Sequence, residues 1–185
     1  EGYRSSTDRC FDIGGQVRAA LFDFEHEQRV PVTAERTNSA GNGAIMRLAP
    51  MVIAGFRSRS PREVVATARL SARDTHFSVE AEAATEVFAA LLVGALLGWS
   101  AEQLMDVSWA STGQPFDEIA ARVISPDPQV RASWEAETNG YIVNGLRLAV
   151  HGLLDFPSFK DATLAISNMG GDSDTNAAIY GQLGG

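Results

Sequence analysis

Apolar residues recur at intervals of three and four along most of the chain, which is the spacing of one face of an α-helix. The pattern is clearest behind Pro61, where Val64, Val65 and Ala68 share a face, and proline is favoured in the first turn of a helix. No pair of strands and no repeat is found, so the sequence predicts an all-α fold, a compact multi-helix bundle in a single domain over residues 1–185. The predicted helices begin after Gly15, at Gly43, at Pro61, at Val79 (to Gly98), at Ala101 (to Trp109), at Gly140-Tyr141, at Phe159 (to Ser167) and near Asp172.

The segment 79–98 carries the most apolar stretch of the chain. Its first half holds Glu80, Glu82 and Glu86, and its second half is almost wholly apolar. This distribution predicts a helix whose far end is buried on all sides. The apolar run at 87–97 has about half the length that a membrane-crossing helix requires, so the sequence predicts no membrane span.

Two kinds of segment interrupt the helical pattern. Residues 111–139 are predicted to be less regular than the rest, because Pro115, Pro126 and Pro128 break the pattern. Four polar turns lie between the predicted helices, around Asp12, Asn42, His76 and Asp172. Turns carried by a rigid scaffold are where binding and catalytic residues concentrate, so these four turns are where we expect a site to be assembled.

Composition narrows the class of protein. The formal net charge is −8 and no basic run is present, which argues against a nucleic-acid partner. Cys10 is the single cysteine, so an internal disulfide is excluded and a reducing, cytoplasmic location is predicted. The sequence opens on Glu1 rather than Met and stops at Gly185 inside a helical pattern, and we expect that both ends are cut.

The richest chemistry lies in the segment GGDSDT, residues 170–175, which we call the Asp turn. Aspartate and serine are favoured at the N-cap of a helix, so Asp172 or Ser173 is predicted at the cap, with Asp174 and Thr175 in the first helical turn. Capping needs only one or two of these oxygens, and the others could converge on a hard divalent cation. A well-capped helix without a metal is the alternative, and the segment alone leaves both open.

Two other interpretations of the Asp turn are less favoured by the sequence. An EF-hand loop that began at Asp172 would need glycine and glutamate where Ala177 and Leu183 stand. A phosphatase-type nucleophilic aspartate is expected after a buried strand, whereas residues 165–168 are typical of the end of a helix.

The remaining turns each allow a structural and a functional interpretation. Asp12 is either an N-cap or a carboxylate that projects into a site. Gly41, Asn42 and Gly43, the Gly-Asn-Gly turn, form either an ordinary turn or a phosphate-binding loop. Arg47 makes either a structural ion pair or a phosphate contact. A lone loop histidine such as His76 is usually only solvated, and a functional role is the less common alternative.

Taken together and in order, these segments resemble the ADP-ribosylglycohydrolase family, most closely its dinitrogenase-reductase-activating branch. The resemblance covers nearly the whole chain. Each motif alone is weak, but the ordered set is specific. The matching segments are Ser5-Ser6-Thr7, Cys10 to Gly14, Gly41-Asn42-Gly43, Met46-Arg47 with Pro50, Ser71 with Thr75-His76, Gly140-Tyr141, Gly170 to Thr175, and Tyr180 to Leu183.

The resemblance implies a fold, a cofactor and an activity. Family members are all-α, hold a binuclear Mg²⁺ or Mn²⁺ centre and remove ADP-ribose from modified side chains, arginine in this branch. By motif, Asp172, Asp174 and Thr175 are implied as metal ligands and Asp12 as the carboxylate beside the metals and the substrate. The ADP-ribose pocket is implied to include Gly41, Asn42, Gly43, His76 and Tyr141.

The chain also departs from the family pattern. Family members are longer, begin with a glycine-rich helix and carry a Thr-Asp-Asp stretch that supplies the other half of the metal ligands, and neither feature is present in residues 1–185. We therefore expect the bundle to be incomplete, with N-terminal helices missing and apolar surface exposed for homo-oligomerisation. The hypothesis of a hydrolase thus competes with two other hypotheses. One is a catalytically incomplete module that binds ADP-ribose or a partner protein, and the other is a structural protein on the same fold.

Overall fold

The computed structural model describes residues 13–27 and 40–185, and within them it contains eleven α-helices. The all-α prediction is therefore confirmed. The two ranges hold no strand, only an isolated bridge between Gly41 and Tyr141. The helices are α1 (Gly15–Glu27), α2 (Gly43–Met46), α3 (Ala49–Phe56), α4 (Pro61–Arg73), α5 (Val79–Leu96), α6 (Ala101–Leu104), α7 (Gln114–Val123), α8 (Pro128–Ser133), α9 (Ile142–Asp155), α10 (Phe159–Ser167) and α11 (Ser173–Gly184).

Helix α5 is the axis of the bundle. Every residue from 81 to 94 is buried, because α3, α4, α7 and α9 pack around it. The predicted burial of its far end is thus confirmed, and the burial extends further toward the N-terminus than the glutamates suggested. Glu82 and Glu86 are themselves buried. Arg73 forms a bidentate ion pair with Glu82, at 2.8 Å for both nitrogen–oxygen distances, which compensates the burial of that carboxylate.

Residues 111–139 are more regular than predicted. Helices α7 and α8 occupy most of this segment. Two of its three prolines lie at the starts of these helices, and Pro126 lies between them. Pro115 and Pro128 stand in the first turn, where the missing N–H would lack a partner in any case. Asp127 then caps α8 by accepting a hydrogen bond from the Gln129 N–H at 2.8 Å. The prediction of irregularity was wrong because proline starts a helix as readily as it ends one.

Two smaller differences concern the surface helices. The predicted helix 101–109 is divided into α6 and a 3₁₀ turn at Ser108–Ala110, because Asp106 accepts hydrogen bonds from the Ser108 N–H and hydroxyl at 3.1 and 2.6 Å. On α1, Ala20 is buried but Leu21 and Phe24 are about half exposed. Within the described ranges, no helix has both the length and the hydropathy to cross a bilayer.

Candidate active site

The Asp turn begins α11 as the sequence predicted. Helix α11 starts at Ser173, and Asp172 occupies the N-cap position. Gly170 and Gly171 precede it with φ values of +79° and +60°, the left-handed region that favours glycine. The Asp172 N–H donates to the Thr138 carbonyl at 2.6 Å. This hydrogen bond anchors the Asp turn to the segment that leads into α9.

The Asp172 side chain does not cap the helix. No capping hydrogen bond is formed from it, and Oδ2 instead accepts a hydrogen bond from Asn42 Nδ2 at 2.6 Å. A short contact of this kind to a charged oxygen is among the stronger hydrogen bonds in proteins. It joins the Asp turn to the Gly-Asn-Gly turn, which lies 130 residues away in the sequence. The alternative in which Asp172 serves only as a helix cap is therefore wrong for its side chain.

The Gly-Asn-Gly turn is held by backbone hydrogen bonds to the start of α9. Asn42 N–H donates to the Gly140 carbonyl, and Ile142 N–H donates to the Ala40 carbonyl, both at 2.9 Å. A side chain on Gly140 would begin 3.4 Å from Asp172 Oδ2. These contacts place Gly41, Asn42, Gly43 and Asp172 around one point. Because α2 has only four residues, its dipole can add little to anion binding at this turn.

His76 lies against the same turn and is buried. Its exposed fraction is 2%, so the expectation of a solvated loop histidine was wrong. A Cβ atom built on Gly43 would lie 3.1 Å from His76 Cε1, and one built on Gly41 would lie 3.3 Å from His76 Nε2. Gly43 therefore allows the imidazole to approach the backbone. Gly41 leaves room for both the imidazole and the Gln16 side chain, whose Oε1 would lie 2.6 Å from the same built atom. Burial, followed by the nearby Arg47 guanidinium, lowers the pKa of His76 to about 4, so the ring is neutral at pH 7.

Among the residues that the structure describes, Arg47 forms no ion pair with a carboxylate. Its guanidinium donates to the Ser71 carbonyl at 2.7 Å, to the Ser71 hydroxyl at 3.1 Å and to the Thr75 hydroxyl at 3.0 Å. These bonds tie the end of α2 to the end of α4. The bonds to Ser71 and Thr75 give Arg47 a role in fixing the loop that carries His76, and the phosphate contact stays a prediction.

Tyr141 is adjacent to this cluster, but its hydroxyl is already engaged. The hydroxyl donates to Glu80 Oε1 and accepts from Arg122 at 2.5 Å. Arg122 also bonds Glu80 at 2.6 Å and lies 5.8 Å from the centre of the Tyr141 ring. Burial, followed by the hydrogen bond to Glu80, raises the pKa of Tyr141. Tyr141 can therefore offer a ligand its ring and backbone more readily than its hydroxyl.

The other predicted site residues have simpler outcomes. Asp174 and Thr175 lie in the first turn of α11, as expected. Asp174 is exposed, and its Oδ1 accepts a hydrogen bond from the Thr175 N–H at 2.8 Å. Asp12 lies outside the described residues. Three cavities of about 270, 270 and 150 Å³ lie elsewhere on the described surface, and none of these three is lined by a predicted site residue.

Comparison with known proteins decides the family. The sequence model of the ADP-ribosylglycohydrolase family matches residues 1–185. The chain belongs to this family. A solved structure described as an ADP-ribosylglycohydrolase-related protein complex superposes with a TM-score of 0.74 and 33% identity, over 92% of this chain and 57% of that one. The resemblance found in the sequence and the fold that it implied are both confirmed.

Several curated relatives carry descriptive names. Two are called ADP-ribosylarginine hydrolase Tri1, from Serratia proteamaculans (strain 568) at 28% identity and from Pseudomonas putida (strain GB-1) at 30%. A third, from Rhodospirillum rubrum, is named ADP-ribosyl-(dinitrogen reductase) glycohydrolase and is 25% identical. The matches cover 100%, 100% and 96% of this chain but 49%, 48% and 55% of those proteins. The chain thus spans about half the length of the curated relatives it matches.

A metal of the kind that the family implies is partly matched by the residues present. Asp172, Asp174 and Thr175 offer carboxylate and hydroxyl oxygens, the donors that Mg²⁺ and Mn²⁺ prefer. Asn42 holds the Asp172 carboxylate in the manner of a residue that orients a metal ligand. Within the described ranges, however, no group of three or more His, Cys, Asp or Glu side chains is arranged to hold a metal. The donor chemistry fits the cation, and the described ligand set is a partial one.

Sequence reasoning missed three residues around the site. The Thr138 carbonyl accepts a hydrogen bond from the Asp172 N–H. Gln182 joins α11 to the Ala49 N–H at 2.8 Å and to the Ile45 carbonyl at 3.0 Å. Asn176 is fully buried beneath the Asp turn, and neither of its amide atoms has a hydrogen-bond partner in the described part of the chain. A signal existed for Gln182, because it is a polar residue within the small and apolar second half of α11, whereas Asn176 only continues the polar run of the Asp turn.

Proposed function

We propose that the protein is a metal-dependent hydrolase that removes ADP-ribose from ADP-ribosylated arginine on a protein by cleaving the N-glycosidic bond. The observation that carries the proposal is the Asn42–Asp172 hydrogen bond of 2.6 Å. It joins the Gly-Asn-Gly turn and His76 to the Asp turn in a chain of the ADP-ribosylglycohydrolase family. The names of the relatives support arginine as the linkage.

In this proposal the Asp turn binds the metal and the Gly-Asn-Gly turn binds ADP-ribose. Asp172, Asp174 and Thr175 would hold Mg²⁺ or Mn²⁺, and Asn42 keeps the Asp172 carboxylate in one orientation. A bound divalent cation supplies positive charge that orients the ribose hydroxyls and a water molecule. The Gly-Asn-Gly backbone, His76 and the Tyr141 ring would bind ADP-ribose. A binuclear metal centre would need ligands beyond Asp172, Asp174 and Thr175.

In the proposed chemical step Asp12 is the general base. The oxygen of a water molecule bonds to ribose C1″, the bond from C1″ to the arginine nitrogen breaks, and its electron pair leaves with the guanidine. Asp12 accepts the proton of that water, as a general base. The transition state has cationic sugar character, which the nearby carboxylates stabilise.

A second candidate is an ADP-ribose-binding module without catalysis. The partial set of metal ligands in the described ranges favours it. A purely structural protein on this fold has no need for the Asn42–Asp172 and His76 contacts, so it ranks third. The cytoplasmic location and homo-oligomerisation through exposed apolar surface stay predictions.

The test is hydrolysis of an ADP-ribosylated arginine substrate by the 185-residue chain with and without Mn²⁺. We expect metal-dependent release of ADP-ribose that Asp172→Asn abolishes. Asp161→Asn is the matched control, because Asp161 also lies in the first turn of a helix, α10, where its contacts are with the cap of that helix, Ser158. ADP-ribose binding without release would favour the binding module, and equal activity of the two variants would exclude the assigned role of Asp172.

A further inference from the structure

Three side chains form a hydrogen-bonded series that ends at the Gly-Asn-Gly turn. The Arg47 guanidinium donates to Thr75 Oγ1 at 3.0 Å. Thr75 Oγ1 lies 2.8 Å from His76 Nδ1. The far nitrogen of the ring, Nε2, would lie 3.3 Å from a Cβ atom built on either Gly41 or Gly43. The series therefore runs from the surface at Arg47 to the backbone of the turn.

The chemistry of the donors fixes the direction of this series. A guanidinium can only donate, so Thr75 Oγ1 must accept from Arg47. The hydroxyl has one proton of its own, and the ring nitrogen 2.8 Å away can accept it. With Nδ1 as the acceptor, a neutral imidazole carries its proton on Nε2. The opposite tautomer would leave the Thr75 proton without this partner. The neutral charge state follows from burial and from Arg47, which together hold the pKa of His76 at about 4.

We propose that Arg47 and Thr75 are positioning residues that hold His76 as the Nε2–H tautomer, so that the imidazole presents an N–H donor at the Gly-Asn-Gly turn. The donor faces the turn that Asn42 joins to Asp172. The ligand group that suits it is an acceptor oxygen of ADP-ribose, on a phosphate or on the ribose. The proposal has two halves. The ligand half, in which Nε2–H donates to ADP-ribose, rests on the proposed function, whereas the tautomer of His76 does not.

The tautomer can be read directly by NMR. Long-range ¹H–¹⁵N correlation spectra of the ¹⁵N-labelled 185-residue chain at pH 7 distinguish the two neutral forms of each imidazole. The His76 signals are assigned by their loss in His76→Gln. We expect His76 in the Nε2–H form in the unmodified chain. A His76 ring in the Nδ1–H form, or one that is doubly protonated at pH 7, would overturn the proposal without any variant.

Variants separate the positioning role from a merely structural one. Thr75→Val removes the hydroxyl and keeps the shape, so we expect a mixture of tautomers and ADP-ribose affinity about five- to tenfold weaker. Thr75→Ser keeps the hydroxyl and should retain the tautomer and the affinity, which also covers the case in which Thr75→Val fails to fold. Thr163→Val is the matched control, because the Thr163 hydroxyl donates to the Phe159 carbonyl within its own helix, α10.

The outcomes distinguish this proposal from the proposed function. A wild-type tautomer that Thr75→Val leaves unchanged overturns the positioning role. A shifted tautomer with unchanged ADP-ribose affinity overturns the ligand half alone. If the unmodified chain shows the Nε2–H form but binds no ADP-ribose, the proposed function and the ligand half fail together, and the tautomer stands.

Discussion

At the residue scale, glycine at 171 is required for two separate reasons. Its φ is +60°, and a Cβ atom there would lie 2.3 Å from the Thr138 carbonyl oxygen. Gly170 has a similar φ of +79° but nothing within 4 Å of a built Cβ. A comparison of the two positions therefore separates the effect of a positive φ, which both share, from the effect of a close contact, which only Gly171 has.

We predict that Gly170→Ala lowers the free energy of unfolding by about 1–2 kcal/mol, the cost of a left-handed alanine. Gly171→Ala should cost clearly more, because the Thr138 segment must also move, and it should weaken ADP-ribose binding. Urea unfolding and calorimetry on the two variants make the comparison. Equal costs for the two would contradict the close approach at Gly171.

The buried His76 predicts a pH dependence of stability. Its folded pKa of about 4 lies below the ordinary value of 6.5, so between these values the unfolded chain binds more protons. Stability from this group is complete above pH 6.5 and is lost as the pH falls toward 4, by up to about 3 kcal/mol. His76→Gln should therefore flatten the fall in unfolding free energy between pH 7 and pH 5.

The control for that experiment is His26→Gln. His26 is an exposed histidine of α1 that contacts the Phe22 carbonyl and stacks on the Phe22 ring, so its replacement shows what the loss of a histidine that is not buried does to the pH dependence. If His76→Gln and His26→Gln show the same slope, burial of a neutral His76 is excluded as the cause.

At the element scale, α11 is tied to the bundle by Gln182 rather than by Asn176. Gln182→Ala removes the hydrogen bonds to Ala49, Ile45 and Met46 and should cost about 2 kcal/mol. Asn176→Ala removes an amide that has no partner among the described residues, so the change should stay below about 1 kcal/mol. Thermal or urea unfolding compares the two, and a larger cost for Asn176→Ala would refute this assignment.

The sequence predicted most helices because their starts carry local signals. Ser60 and Glu63 form a reciprocal capping box in front of α4. Ser158 caps α10, which begins at Phe159 as predicted. The signals failed at α7, where Pro115 can equally end or begin a helix. A periodicity argument also cannot show that α5 is buried along both halves, because burial depends on which helices surround it.

At the scale of the whole molecule, the candidate site is assembled from turns that are far apart in sequence. Asn42 and Asp172 are 130 residues apart, and their contact depends on the pairing of the Gly-Asn-Gly turn with the start of α9. Local sequence reasoning could mark each turn as unusual but could not bring them together. The family resemblance supplied that step. In the structure the Gly-Asn-Gly turn lies against both His76 and Asp172, and the roles of these residues in binding a metal and ADP-ribose stay predictions.

The central claim is that a divalent cation and ADP-ribose bind to one site made from these turns. It is tested most directly by calorimetric titration of the 185-residue chain with Mn²⁺ and with ADP-ribose, each alone and both together. The account predicts that both bind, that Mn²⁺ tightens ADP-ribose binding, and that Asp172→Asn removes this coupling whereas Asp161→Asn does not. ADP-ribose binding that is indifferent to Mn²⁺, or no binding of either, would contradict it.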